Sequence, residues 1–261
     1  MKEESTILRI NGPVVFADHM GHAGLGEQVA VGNEELTGEI IALDRDVATI
    51  QVYEDTTGLK PGEPVAGRGE PLSVWLGPGI LRSIYDGIQR PLDKLHEHSG
   101  TFLARGLSTP GIDLDRTWVF TPKKQGGEPL APLSVLGEVP ETDLITHRVL
   151  APFDVAGKLT WIAEAGEYRV TDVVAKVSGG DGERELPMLQ KWPIRKPRPI
   201  GKRLPPRVPV ITGQRVIDFL FPAARGGACA IPGGFGTGKT VTQHQLAKWS
   251  DVDVIVYIGC G

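Results

Sequence analysis

The chain has 261 residues, 40% of them hydrophobic and 23% charged, with a formal net charge of −4. That length allows one large domain or two ordinary ones, and the acidic balance excludes an overall nucleic-acid footprint. No apolar run nears the roughly 18 residues of a membrane span, and the charged start MKEESTILRI lacks the apolar core of a signal peptide.

The chain holds 34 glycines and 21 prolines, well above ordinary usage, which predicts many turns and short strands. Two cysteines, Cys229 and Cys260, are too few for a disulfide framework and read as reduced thiols of an intracellular protein. Over residues 5 to 70, the stretches TILRINGPVVFADH, LTGEIIALDRDVATIQVYED and TGLKPGEPV alternate apolar and polar positions between Gly-rich turns. They predict a small closed β-barrel. In GILRSIYDGIQRPLDKL, Ile80, Ile84, Ile88 and Leu92 recur every four residues, predicting a helix over 79–95 with Pro91 at or just beyond its end.

From 110 to 190 the segments TWVFTP, THRVLAP, GKLTWIAEAGEYRV and TDVVAKVSGG predict a second β-rich module with no long amphipathic helix. The basic, Pro-rich KWPIRKPRPIGKRLPPRVP follows. An extended connector stiffened by proline accounts for it; the alternative is a strap for nucleic acid or an acidic partner. After Val210, TGQRVIDFLFPAARG predicts a short helix that Thr212 caps. ACAI predicts a short buried strand, TVTQHQLAKWS a helix, and VDVIVYIG a buried parallel strand, together one βαβ unit.

Between ACAI and that helix lies Gly233-Gly234-Phe235-Gly236-Thr237-Gly238-Lys239-Thr240, which fits the phosphate-loop pattern G-x-x-x-x-G-K-[ST]. Glycines open backbone conformations in which successive N–H groups point at phosphate oxygens, and a helix N-terminus adds partial positive charge. Lys239 is placed to reach the β- and γ-phosphates, and the Thr240 hydroxyl to ligate Mg²⁺. Other polar groupings read as structural or solvated: His96 and His98 at a helix end, His19 and His22 in a Gly-rich loop, His244 on the helix after the motif, and Asp181, Glu183 and Glu185 in a turn.

At this point the sequence resembles the catalytic A subunit of the V-type and archaeal-type rotary ATPases. The resemblance is carried by EPLSVWLGPGILRSIYDGIQRPL, by LPPRVPVITGQRVIDFLFPAARGGACAIPGGFGTGKTVTQHQLAKWSDVDVIVYIGCG, and by Phe235 in Gly-x-Phe-Gly-x-Gly-Lys-Thr. It implies an N-terminal six-stranded β-barrel over 1–70, a first core segment over 71–109, an inserted β-rich bulge over 110–190, and a RecA-like α/β nucleotide-binding core from 191. It further implies ATP or ADP and Mg²⁺ at Gly233, Gly234, Phe235, Gly236, Thr237, Gly238, Lys239, Thr240 and Val241, with Lys239 catalytic.

The partners implied are B subunits in an alternating A3B3 ring, central and peripheral stalks, and a membrane sector that moves protons or sodium ions. The site implied is the cytoplasmic face of the membrane. Where many eukaryotic members carry a regulatory cysteine, this chain has Thr237, and that control does not carry over. The family continues Gly-Cys-Gly into Glu-Arg-Gly-Asn-Glu, whose first glutamate positions the attacking water, and takes an arginine finger from a neighbouring subunit. On this reading the chain is an N-terminal fragment, inactive alone, with an ordered barrel and a loose tail after about 200. A hexameric nucleic-acid motor and a non-catalytic nucleotide-binding or assembly subunit remain the competing readings.

Overall fold

The computed structural model describes residues 4–102, 104–180 and 182–260, so Asp181 and Gly261 lie outside the described residues. The chain divides into two units, Met1–Arg198 and Pro199–Gly261.

The first unit begins with β1 (Ile7–Asn11), β2 (Val14–Ala17), β3 (Glu27–Val31), β4 (Leu36–Asp44), β5 (Val47–Val52) and β6 (Val65–Pro71). They pair antiparallel in the order β1-β2-β5-β4-β3-β6. The two outer strands meet: the Ile7 N–H donates to the Glu63 carbonyl at 2.9 Å and the Val65 N–H to the Ser5 carbonyl at 2.9 Å. Closure leaves no long unpaired edge, as the barrel expected from the pattern requires. Strict alternation in β5 sends Ala48, Ile50 and Val52 inward, where they pack with Ile7, Val15, Met20, Leu36 and Ile40.

After β7 (Ser73–Leu76), the helix expected over 79–95 does not form; α1 spans Leu92–Ser99, and Pro91 precedes it instead of ending it. Proline disfavours helical geometry in the residue before it and suits a helix start. Asp86 gives the preceding residues another structure: its carboxylate accepts the N–H groups of Ile88 (3.1 Å) and Arg90 (2.8 Å) and the Arg90 Nε (2.6 Å). Arg90 also reaches Glu54 beside the barrel at 2.9 Å, pairing two nearly buried charges.

Next come β8 (Thr117–Pro122), β9 (Pro129–Leu130), β10 (Val135–Pro140), β11 (Thr146–Leu150), β12 (Gly157–Ile162), β13 (Gly166–Arg169), β14 (Val173–Gly179), β15 (Gly182–Pro187) and β16 (Gln190–Pro193). Two four-stranded sheets, β11-β10-β8-β13 and β15-β14-β12-β9, enclose a core that includes Phe120, Leu136, Leu159, Val174 and Leu186. β16 pairs antiparallel with β7, Trp192 opposite Val74, so the chain returns beside the point from which it left.

The second unit contains α2 (Arg215–Leu220) and α3 (Lys239–Trp249) and an isolated bridge between Pro209 and Ala224. Both expected helices form. The two expected strands do not: among the described residues neither 228–231 nor 252–258 has a ladder partner, and Val256 and Ile258 are each 81% exposed. A β-strand takes its hydrogen bonds from a neighbour, and without one an apolar run has no sheet to join. Thr212 does not cap α2, whose N-cap is Gln214. Thr212 instead shares a network with Asp218, which accepts the Thr212 hydroxyl at 2.6 Å and its N–H at 2.9 Å, while the Gln214 N–H donates to the Thr212 hydroxyl at 3.2 Å.

Candidate nucleotide-binding site

The site is built where an irregular loop turns into α3. Gly236 and Gly238 have φ of 76° and 81°, left-handed values that favour glycine, and Gly238 is the N-cap of α3. The first turn of α3 therefore opens directly out of the loop, and its leading N–H groups have no partner within the helix. No acidic residue lies in that turn to compete for them.

Lys239 is the first residue of α3, and its side chain bends back over the loop. Its Nζ donates to the Gly233 carbonyl at 2.6 Å and also to the Gly234 carbonyl. The Thr237 hydroxyl donates to the same Gly234 carbonyl at 2.9 Å. A cation is thus held over a glycine loop at a helix N-terminus, an arrangement suited to an anionic phosphate group. Thr240, one residue on, is exposed, as are Phe235 and Val241.

Among the described residues no group of three His, Cys, Asp or Glu side chains is gathered as for a metal ion. A divalent cation here would take Thr240 Oγ1 as its protein ligand, with phosphate and water oxygens completing the set, the usual habit of Mg²⁺. The residues present fit that role.

The remaining candidates disperse. His96 Nδ1 lies 2.9 Å from the Gly100 carbonyl at the exposed end of α1, and His22 is exposed. His19 is partly buried, near Asp18 (3.6 Å) and Asp46 (3.4 Å), which corrects its reading as an exposed loop residue. His244 on α3 sits 3.2 Å from the Tyr257 hydroxyl. Glu185 pairs with Lys176 across β14 and β15 at 2.7 Å, and Glu183 accepts the Thr160 hydroxyl at 2.8 Å, so both belong to a strand and not to a turn.

In the first unit a cavity of about 480 Å³ is lined by Arg68, Trp75, Gln89, Arg90 and Lys191, among others. No motif marks it in the sequence, because its lining is gathered from β3, β4, β6, β7, β16 and the loops around 88–90 and 106–111.

Three family models match successive parts of the chain. The ATP synthase alpha/beta family β-barrel domain matches residues 7–69, the ATP synthase alpha/beta subunit barrel-sandwich domain 109–195, and the ATP synthase alpha/beta family nucleotide-binding domain 213–261. The chain belongs to the ATP synthase alpha/beta family.

Similar proteins of this family include the A subunit of the A-type ATP synthase from Desulfurococcus sp. (strain SY), 56% identical over 98% of this chain and 44% of its own length. Its counterpart from Thermococcus sibiricus (strain DSM 12597 / MM 739) is 54% identical over the same shares. The V-type ATP synthase alpha chain of Halothermothrix orenii (strain H 168 / OCM 544 / DSM 9562) is 50% identical over 100% of this chain and 44% of its own. The chain spans about 44% of the length of these curated relatives. Among solved structures, the assembled ATPase EscN with its central stalk EscO, from the enteropathogenic E. coli type III secretion system, overlaps 50% of this chain and 31% of its own at 20% identity. Its TM-score of 0.32 is too low to bear on the fold.

The motif at 233–240 falls in the part matched by the nucleotide-binding domain, and the closed barrel in the part matched by the β-barrel domain. No helix among the described residues is long and apolar enough to cross a membrane.

Proposed function

We propose that this chain supplies the phosphate grip of the catalytic subunit of a rotary ATPase or ATP synthase. The observation that carries the reading is Lys239 folded over the glycine loop at the start of α3, bonded to the Gly233 and Gly234 carbonyls. In use, the ammonium group exchanges those carbonyls for β- and γ-phosphate oxygens, and the loop N–H groups share the load. Gly233, Gly234, Phe235, Gly236, Thr237, Gly238 and Val241 line the nucleotide, and Thr240 ligates Mg²⁺. Bound Mg²⁺ supplies charge neutralisation between the phosphates.

On this reading the residues fall into a barrel over 1–70, a first core segment over 71–109, an inserted bulge over 110–190 and the nucleotide-binding core from 191. The partners are B subunits in an alternating ring, central and peripheral stalks, and a membrane sector coupling ATP hydrolysis or synthesis to proton or sodium movement. The chain then works at the cytoplasmic face of that membrane. The names of the relatives at 50–56% identity support this assignment.

Phosphoryl transfer also needs an oriented water and charge stabilisation on the transferred group. The chain spans about 44% of the length of its relatives, and by itself is expected to bind Mg-nucleotide without steady turnover. Titration with a fluorescent ADP analogue and Mg²⁺ tests this: Lys239→Ala should weaken binding by at least about tenfold, a loss of roughly 1.4 kcal/mol. Equal affinity of the two proteins overturns the reading; steady ATP turnover by the chain alone that Lys239→Ala abolishes overturns only the expectation that the chain is inactive by itself.

A further inference from the structure

Glu39 lies in β4 and is 1% exposed, a carboxylate set into the barrel wall. A buried charge is costly unless it is paired and hydrogen-bonded. The barrel region itself offers it the Tyr53 hydroxyl, which donates to Oε2. Its cation comes from 156 residues further along the chain: Arg195 donates from Nε to Glu39 Oε1 at 2.9 Å and from Nη2 to Oε2 at 2.7 Å. This two-pronged geometry is the strong form of the pair.

The two partners differ in freedom. The Glu39 side chain is 1% exposed and fixed in a strand, whereas that of Arg195 is 68% exposed and lies on the connector just after β16. The arginine can leave for water at little cost; the carboxylate cannot follow it. Around Arg195 the connector is held by the Ile194 N–H donating to the Leu72 carbonyl at 3.0 Å and by Trp192 Nε1 donating to the Lys196 carbonyl at 2.7 Å. Lys196 lies 3.8 Å from the centre of the Phe153 ring and Arg198 4.1 Å from that of Trp192. Residues 199–209 are exposed throughout.

We propose that Glu39, Tyr53 and Arg195 form a latch that holds the connector after β16 against the barrel, so that the barrel fixes where the chain leaves the first unit. The basic character of the connector is then used inside the molecule at Arg195, Lys196 and Arg198.

Amide hydrogen exchange on the full chain, resolved by residue, tests the latch. Arg195→Met should speed exchange of the Ile194 and Lys196 amides at least tenfold while leaving Val15 and Ile50, in the barrel core, within twofold of the parent. Glu39→Gln keeps the shape of the side chain and removes its charge, and should give a smaller acceleration at the same two amides. Arg195→Lys, with a single donor group, should fall between parent and Arg195→Met. Lys202→Met, at an exposed connector position, should change nothing. Unchanged exchange at Ile194 and Lys196 in both Arg195→Met and Glu39→Gln overturns the proposal. A uniform acceleration across the barrel in both variants also overturns it, because the pair would then serve barrel stability and not the connector.

Discussion

The two units of the chain draw on similar apolar residues and use them differently. In Met1–Arg198 they fill two cores, one inside the barrel and one between the β-sheets of the sandwich. In Pro199–Gly261 the residues of α2 and α3 are all at least partly exposed, and Thr212 alone among the described residues is buried. Phe219 and Phe221, at 81% and 73% exposure, contrast with Phe120 at 0%. The difference teaches that an apolar pattern is only an offer to pack; it becomes a core when the same chain supplies the facing surface.

The largest expected difference is in local opening. Regions with few buried contacts open far more often than core strands. Chymotrypsin should cut after Phe219 and Tyr257 on the order of a hundredfold faster than after Phe120 or Tyr168, with the fragments read by mass spectrometry. A time course in which 200–261 outlasts the sandwich breaks the comparison.

Next in size is the cost of removing a ring. Phe120 is fully buried and meets Tyr168 edge-on at 6.1 Å between ring centres. Phe120→Ala should cost about 3–5 kcal/mol in urea unfolding followed by tryptophan fluorescence. Phe235→Ala, at an open loop position, should stay within about 0.5 kcal/mol. Similar costs for the two substitutions would show the second unit to be as well packed as the first.

The smallest effect is on pH dependence and belongs to the first unit alone. His147 in β11 lies 3.4 Å from Glu141, and burial pushes its pKa below the ordinary 6.5, with Glu141 opposing that shift. As pH falls below about 6.5 the unfolded chain takes up this proton before the folded one does. Stability should therefore decline over that range, by at most about 1.4 kcal/mol per pH unit, and level off below the folded-state value. His147→Gln should remove this part of the decline in urea midpoints measured from pH 8 to pH 5. Superimposable curves for the two proteins would exclude the effect.

Much of the fold was legible because β-alternation is local. TWVFTP is β8 and THRVL is β11, and TILRINGPVVFADH and LTGEIIALDRDVATIQVYED contain β1, β2, β4 and β5, whereas TGLKPGEPV is turn up to Val65 and β3 lies in none of those runs. The phosphate-loop pattern is local too, eight consecutive residues from Gly233 to Thr240, and the turn from glycine loop into α3 that it predicts is present. The failures share a cause. Spacing at Ile80, Ile84, Ile88 and Leu92 spoke for a helix, but the carboxylate of Asp86 and the ring of Pro91 outweighed it. VDVIVYIG spoke for a buried strand, yet a strand is a relation between two segments.

The sequence by itself determined the residue types of the proposed grip: glycines where φ turns positive, and a lysine and a threonine at the start of the helix that follows. Tertiary structure decided what local pattern cannot carry. It closed β1 onto the segment leading into β6, gathered the cavity lining from separate strands and loops, and brought Arg195 to Glu39 across 156 positions. The physical reason is range. Backbone preference and helix or strand period act over a few residues, whereas buried charges and apolar faces are satisfied by whatever the whole fold brings within contact.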